Sequence, residues 1–197
     1  PMLTREDISR EIAPIYNEEM KIADIPTVFH EIETNGIGYL DLMFDLSDVP
    51  EKDLPMVGLL QAVLGIIDTE HYEYGELFNE INRHTGGIGT SLELYPDVTK
   101  VKEKEFRATF EIKGKALYGQ IPFAIRMMKE ILTASKLDDE KRLKEILSMT
   151  KTRLQDRFLS AGHSAAALRA MSYKSPISKF KDTTNGIEYY QNIREME

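Results

Sequence analysis

From residue 39 to residue 46 the chain alternates strictly: Leu40, Leu42, Phe44 and Leu46 share one side, and Tyr39, Asp41, Met43 and Asp45 the other. A period of two is that of a strand with one face on a core. Residues 25–32 also read as a strand. Asn35-Gly36, between the two, reads as a type I′ hairpin turn, because both residues tolerate the positive φ that this turn requires. The alternation returns over 88–95, with Ile88, Thr90, Leu92 and Leu94 on one face, and over 105–113, with Phe106, Ala108, Phe110 and Ile112. Pro96-Asp97 marks the turn between them.

Elsewhere the period is helical. Asp48-Val-Pro-Glu51 has the spacing of a capping box and predicts a helix over 53–67. That segment is apolar nearly all round, so it must be enclosed, with sheet on one side and other elements on the other. A second helix over 74–83 presents Leu77, Phe78 and Ile81 and is stopped by Gly86-Gly87. Further helices are predicted over 118–134 (Ile121, Ile125, Met128, Ile131, Leu132) and 138–161 (Leu143, Ile146, Leu147, Leu154, Phe158), with Gly162 as a left-handed cap. Shorter ones follow over 164–171, after Pro176, and over 186–196, and the polar residues before Lys21 read as a helical lead-in.

Strands grouped before residue 113 and helices after it predict an α+β fold, an antiparallel sheet with helices packed mainly on one face. A doubly wound sheet would need near-continuous apolar strands, each followed by a helix. The 197 residues, 42% of them hydrophobic, suit one domain over 25–197 behind a lead-in over 1–24.

A formal charge of -8 and the lack of a Lys/Arg cluster interleaved with aromatics argue against nucleic acid as a partner; Lys- and Arg-rich peptides would be the natural charged partners, although such a charge more commonly serves solubility alone. Without cysteine there is no disulfide, thiolate metal site or cysteine nucleophile. No apolar run reaches the roughly 18 residues that a membrane span requires. The chain begins Pro-Met-Leu-Thr, without signal or transit character, and reads as a piece of a longer protein.

Zinc-type spacings fail on the histidines. His71-Tyr-Glu73 and His30-Glu31 match neither H-x-x-E-H nor H-E-x-x-H, and both histidines read as surface or loop residues. His163 reads as a capping or packing side chain. Gly86-Gly-Ile-Gly89 follows a helix and leads into a strand, the reverse of a phosphate loop. Ser91 lacks triad spacing. The run 138–145 reads as a solvated helix start, and Met127-Met128 and Tyr189-Tyr190 as core.

Several separated pieces resemble the presequence-protease branch of the pitrilysin and insulinase superfamily of zinc metallopeptidases: TNGIGYLDLMFDL at 34–46, Leu54-Pro55 opening a buried helix, and YEYGELFNEINRHTGGIGTSLELY at 72–95. Gly162-His163-Ser-Ala-Ala166 and Ser172-Tyr173 continue the match. The resemblance implies a clamshell of two halves around a chamber for unfolded peptides, each half made of two related α+β domains. In the first domain an inverted H-x-x-E-H motif holds Zn²⁺ and supplies the general base. Here the matching helix is 54–67, and counting back from Tyr72 puts Leu59, Ala62 and Val63 at the ligand, base and ligand positions. None is a customary zinc ligand.

The resemblance therefore implies the third domain of such a peptidase, non-catalytic and without a cofactor of its own, with zinc expected in the parent's first domain. It carries over no catalytic and no metal-binding residue. Gly87, Ile88, Gly89, Thr90 and Ser91 match the family's chamber-lining strand, where a peptide could add to the sheet edge. The expected partners are the other domains of the same polypeptide and a peptide substrate. The expected compartment is the bacterial cytoplasm or, alternatively, a mitochondrial matrix or plastid. A free-standing zinc-less subunit completing a heterodimeric peptidase is the alternative.

Overall fold

The computed structural model describes residues 16–99 and 105–196. It divides after Gly36 into two compact units. In the first, β1 (Glu18–Ile22) and β2 (Ile25–Phe29) form an antiparallel two-stranded sheet. Ala23 (φ 48°) and Asp24 (φ 67°) supply the left-handed turn between them. This corrects the sequence reading twice. Residues 18–21 are strand rather than helix, the rest of the lead-in over 1–15 lying outside the described residues. Asn35 (φ 51°) and Gly36 (φ 78°) do take left-handed geometry but join no hairpin, because β2 pairs with β1 and the next strand pairs elsewhere.

The second unit holds a three-stranded antiparallel sheet in the order β3-β5-β4, from β3 (Ile37–Asp45), β4 (Ile88–Pro96) and β5 (Phe106–Leu117). Leu42 faces Ile112 and Phe44 faces Phe110 on one side of β5, while Thr90 and Leu92 face the same two residues on the other. Both outer strands run against β5 and so parallel to each other. The crossover from β3 to β4 therefore passes over the strand that fits between them, a split β-α-β arrangement. β5 runs four residues past the predicted end, its face toward the helices continuing as Gly114 and Ala116.

That crossover contains α1 (Leu54–Val63) and α2 (Tyr74–His84). α1 is shorter than predicted: the backbone turns extended at Leu64, and Gly65 adopts φ 87°. The capping box does not form, and neither α1 nor the single 3-10 turn at Glu51–Asp53 before it has a side-chain cap. After β5 come α3 (Ile121–Thr133), α4 (Glu140–Ser172), α5 (Pro176–Asn185) and α6 (Ile187–Met196). Asp139 caps α4 and Ser175 caps α5 through side-chain oxygens. α4 does not stop at a left-handed Gly162. It kinks at Ala161 (φ -137°, ψ 42°) and continues to Ser172, with His163 exposed within it rather than capping or packing.

α1 lies between two hydrophobic clusters, as its all-round apolar surface requires. Val57, Leu60 and Leu64 pack with the sheet residues Phe110 and Ile112 and with Met127, Met128 and Ile131 of α3. Leu59, Val63 and Ile67 pack with Ile146, Leu147 and Leu154 of α4 and with Tyr189 and Ile193 of α6. Gly58 allows α1 to lie directly on α5, since a Cβ there would collide with the Thr184 carbonyl and stand 3.0 Å from the Tyr189 ring. The helices thus cover one face of the sheet, giving the α+β architecture expected from the alternation.

Candidate functional site: the free edge of the fourth strand

Among the described residues β4 pairs on one side only, which leaves its other long edge available to a further strand. Along residues 91–94 of that edge the helices leave a groove of about 540 Å³, walled by Arg157, Phe158 and Leu168 of α4 and by Phe180 and Asn185 of α5. The bend at Ala161 makes this wall two-sided. Beyond it, α4 lies against α5, where the Arg169 guanidinium donates to the buried Asp182 carboxylate at 2.6 Å and to Glu188 at 3.0 Å. Lys179 reaches the same Glu188 at 2.6 Å.

The five residues expected to contact peptide divide along the strand. Ser91 lines the groove and Gly89 is exposed. Thr90 turns its hydroxyl to the Gln61 carbonyl at 3.1 Å, which ties β4 to the last turn of α1. Ile88 packs toward the sheet-facing core. Gly87, at φ 111°, accepts a hydrogen bond from the Lys115 N–H through its carbonyl and borders a different surface depression beside Tyr39 and Lys113. The groove therefore meets the later half of β4 rather than the glycine-rich start.

On the face away from the helices, Glu111 at the centre of β5 has no accessible side-chain surface, being covered only by its neighbours. Tyr95 donates to it at 2.8 Å and Thr109 at 2.5 Å, and Lys113 stands 2.7 Å from its other oxygen. Burial pushes its pKa up, but these donors outweigh burial and hold it below the ordinary glutamate value. Lys113 also approaches Glu93 at 3.2 Å and Asp41 at 3.8 Å. Asp41 is driven the other way, up, by desolvation and then by the Glu111 charge. Three carboxylates thus share one ammonium.

The positions matched to a zinc motif are hydrocarbon. Val63 is 2% exposed and Leu59 9%, both inside the cluster with α4 and α6, and Ala62 is half-buried. These residues do not fit a zinc ion, and the described residues contain no group of three or more His, Asp or Glu able to hold one. His71 lies on the surface 3.1 Å from Glu130, and His84 stands 3.6 Å from Glu80.

Compared with known families, residues 1–196 match the model of the peptidase-associated region of metallopeptidase family sixteen, subfamily C. The chain belongs to that family. It is 36% identical over 197 residues to Protein HypA of Clostridium perfringens, an alignment covering all of this chain and 20% of that protein. It is also 25% identical to presequence protease 1, chloroplastic/mitochondrial, of Arabidopsis thaliana and to the mitochondrial presequence protease of Yarrowia lipolytica, again over the whole chain and over 18% and 20% of those proteins. The chain thus spans about a fifth of the length of the relatives it matches. It is a non-catalytic, presequence-protease-like domain of the pitrilysin family.

For this peptidase-associated domain, the groove residues that sequence reasoning missed are Arg157, Phe158, Phe180 and Asn185. They come from two helices far from β4 in the chain. The available signal was the small-residue run 160–167, where a long helix loses the bulky side chains that keep it straight against a core.

Proposed function

We propose that this domain forms part of the chamber wall of a zinc peptidase that degrades unfolded peptides, and closes the chamber by binding the other domains of the same polypeptide. The observation that carries this reading is the outer strand β3. Leu42 and Phe44 lie on the helix-covered face yet are each 46% exposed, and Tyr39 (71%) and Met43 (51%) are exposed on the opposite face. An edge strand that exposes large apolar side chains on both faces among the described residues is a surface made for a neighbour. Relatives about five times as long, in which the aligned segment is one part of a larger chain, favour a fused neighbour over a separate subunit.

Peptide contact is assigned to the β4 edge, where main-chain groups beside residues 91–94 accept an extended segment as an added strand. Zinc and the general base come from another domain of the parent, since Leu59, Ala62 and Val63 offer no ligand.

The test is a peptide-degradation assay on a polypeptide that joins this chain to a zinc-bearing half. Phe44→Glu and Leu42→Glu should lower turnover there, while this chain alone shows no cleavage. Chelator-sensitive cleavage of unstructured peptides by the chain alone would overturn the reading.

A further inference from the structure

On the other side of the Arg157–Asn185 contact from the β4 groove is a second cleft, of about 480 Å³, between the end of α1, the middle of α4 and the start of α6. Gln61 and Ala62 border it from α1, Arg153 and Arg157 from α4, and Asn185 and Tyr189 from the last helices. No acidic side chain borders it, although the chain as a whole carries a formal charge of -8.

Its charged groups are both cations, and the acceptors that they meet are neutral. Arg157 donates to the Asn185 side-chain oxygen at 3.0 Å and to the Asn185 carbonyl, both neutral groups. Neither Arg153 nor Arg157 forms an ion pair among the described residues. Desolvation, and then the repulsion of Arg153, lowers the pKa of Arg157. Arg153 also borders a shallow depression on the outer side of α4 with Glu145 and Asp156, but pairs with neither. The Tyr189 side chain is 2% exposed, and its hydroxyl has no hydrogen-bond partner in the protein. Burial pushes its pKa up to about 12 against the pull of Arg153, so near neutral pH the hydroxyl keeps its proton and can donate.

A buried hydroxyl without an acceptor and a partly desolvated guanidinium without a counter-charge, here Tyr189 and Arg157, are each unfavourable alone, and the exposed Arg153 adds a second positive charge beside them. Near one another they become favourable when an oxyanion enters, because charge-assisted bonds from arginine are the stronger kind. We propose that this cleft is an oxyanion site that takes a phosphate group, free or as the monoester of a small molecule, held by Arg153, Arg157 and the Tyr189 hydroxyl. Two fixed positive charges match a dianion better than a single carboxylate. The α1 residues bordering the cleft include Ala62, matched above to the general base of the zinc motif.

The proposal shares Arg157 and Asn185 with the wall of the β4 groove but invokes neither β3 nor the main-chain edge of β4, and its test reads phosphate rather than peptide. The test is calorimetric titration of the full chain with inorganic phosphate, with phenyl phosphate, and with chloride at matched ionic strength. Phosphate should bind saturably and chloride should not. Arg153→Gln, at an exposed position that leaves the fold intact, should weaken phosphate roughly tenfold. Tyr189→Phe should weaken it severalfold while leaving the melting temperature unchanged or higher, because the variant no longer buries an unpaired hydroxyl. Tighter binding of phenyl phosphate than of phosphate assigns the site to a phosphorylated small molecule, and equal or weaker binding assigns it to the free ion. Affinity unchanged in both variants, or phosphate behaving like chloride, overturns the proposal.

Discussion

Arg169 and Asp182 lock the kinked half of α4 to α5: the guanidinium donates to the carboxylate at 2.6 Å, and the Asp182 side chain has no accessible surface. The other Asp182 oxygen accepts the Ile187 N–H at 2.9 Å, so one side chain joins the start of α6 to the same contact. Gly186 belongs to this arrangement, since a Cβ there would run into Asp182. Asp182→Ala should cost about 2 kcal/mol, less than breaking a fully buried pair, because Arg169 is partly exposed and keeps Glu188 as a partner. Urea denaturation compared with wild type measures it, and a loss below about 1 kcal/mol would show that the pair is not what holds these helices together.

Glu111 and Asp41 should respond to pH in opposite senses. The folded-state pKa of Glu111 is depressed, so its charge stabilises the fold above the ordinary glutamate pKa, and that stability is lost as pH falls through the folded value. Glu111→Gln should therefore melt a few degrees lower at pH 7, with the gap closing below about pH 4. Asp41 is raised instead, so its ionisation opposes folding, and Asp41→Asn should melt at or slightly above wild type at pH 7. Thermal melts across pH 3–8 check both signs.

Restoring the imidazoles of the zinc motif should fail. Leu59→His and Val63→His would each place a polar ring in the cluster formed by Ile146, Leu154 and Ile193, at a cost of roughly 2 kcal/mol or more. Added zinc should not recover the lost stability. A chelator-reversible rise in melting temperature in the double variant would show that α1 retains the open geometry of a metal helix.

The elements that sequence made legible are those with an unbroken period. Met127, Met128 and Ile131 of α3 are buried together, and β3, β4 and β5 follow their alternation, because burial on one face leaves a repeat in the chain. β1 was not legible. Its run Glu18-Glu-Met-Lys-Ile22 offers only Met20 and Ile22 on one face, too few to establish a period, and Ala23-Asp24 is a less obvious turn than Asn35-Gly36. The sequence reading ends the helix at a left-handed Gly162, whereas α4 kinks at Ala161 and continues, since composition marks where a helix can weaken but not whether it stops there. For the candidate site, alternation placed Ser91 on a strand and the family resemblance put that strand at a sheet edge, but neither could say which stretch of the edge the helices would flank. That depends on α4 and α5 meeting through Arg169 and Asp182, a contact with no local signature in either helix.

Edge strand β3 should tolerate charge without losing stability. Leu42→Lys and Phe44→Lys change residues that are each 46% exposed, so the melting temperature should shift little. Self-association of the chain, followed by sedimentation velocity at increasing concentration, should fall. Association unaffected by both changes would move the sticky surface away from β3.

The double enclosure of α1 also constrains how the chain can be made. Its sheet-facing side meets partners through Ile131, but Leu59, Val63 and Ile67 find theirs only from Ile146 onward, ending with Tyr189 and Ile193. A ribosome extending this polypeptide therefore displays an oily helix for more than a hundred residues of synthesis, an interval in which folding helpers have their natural point of engagement.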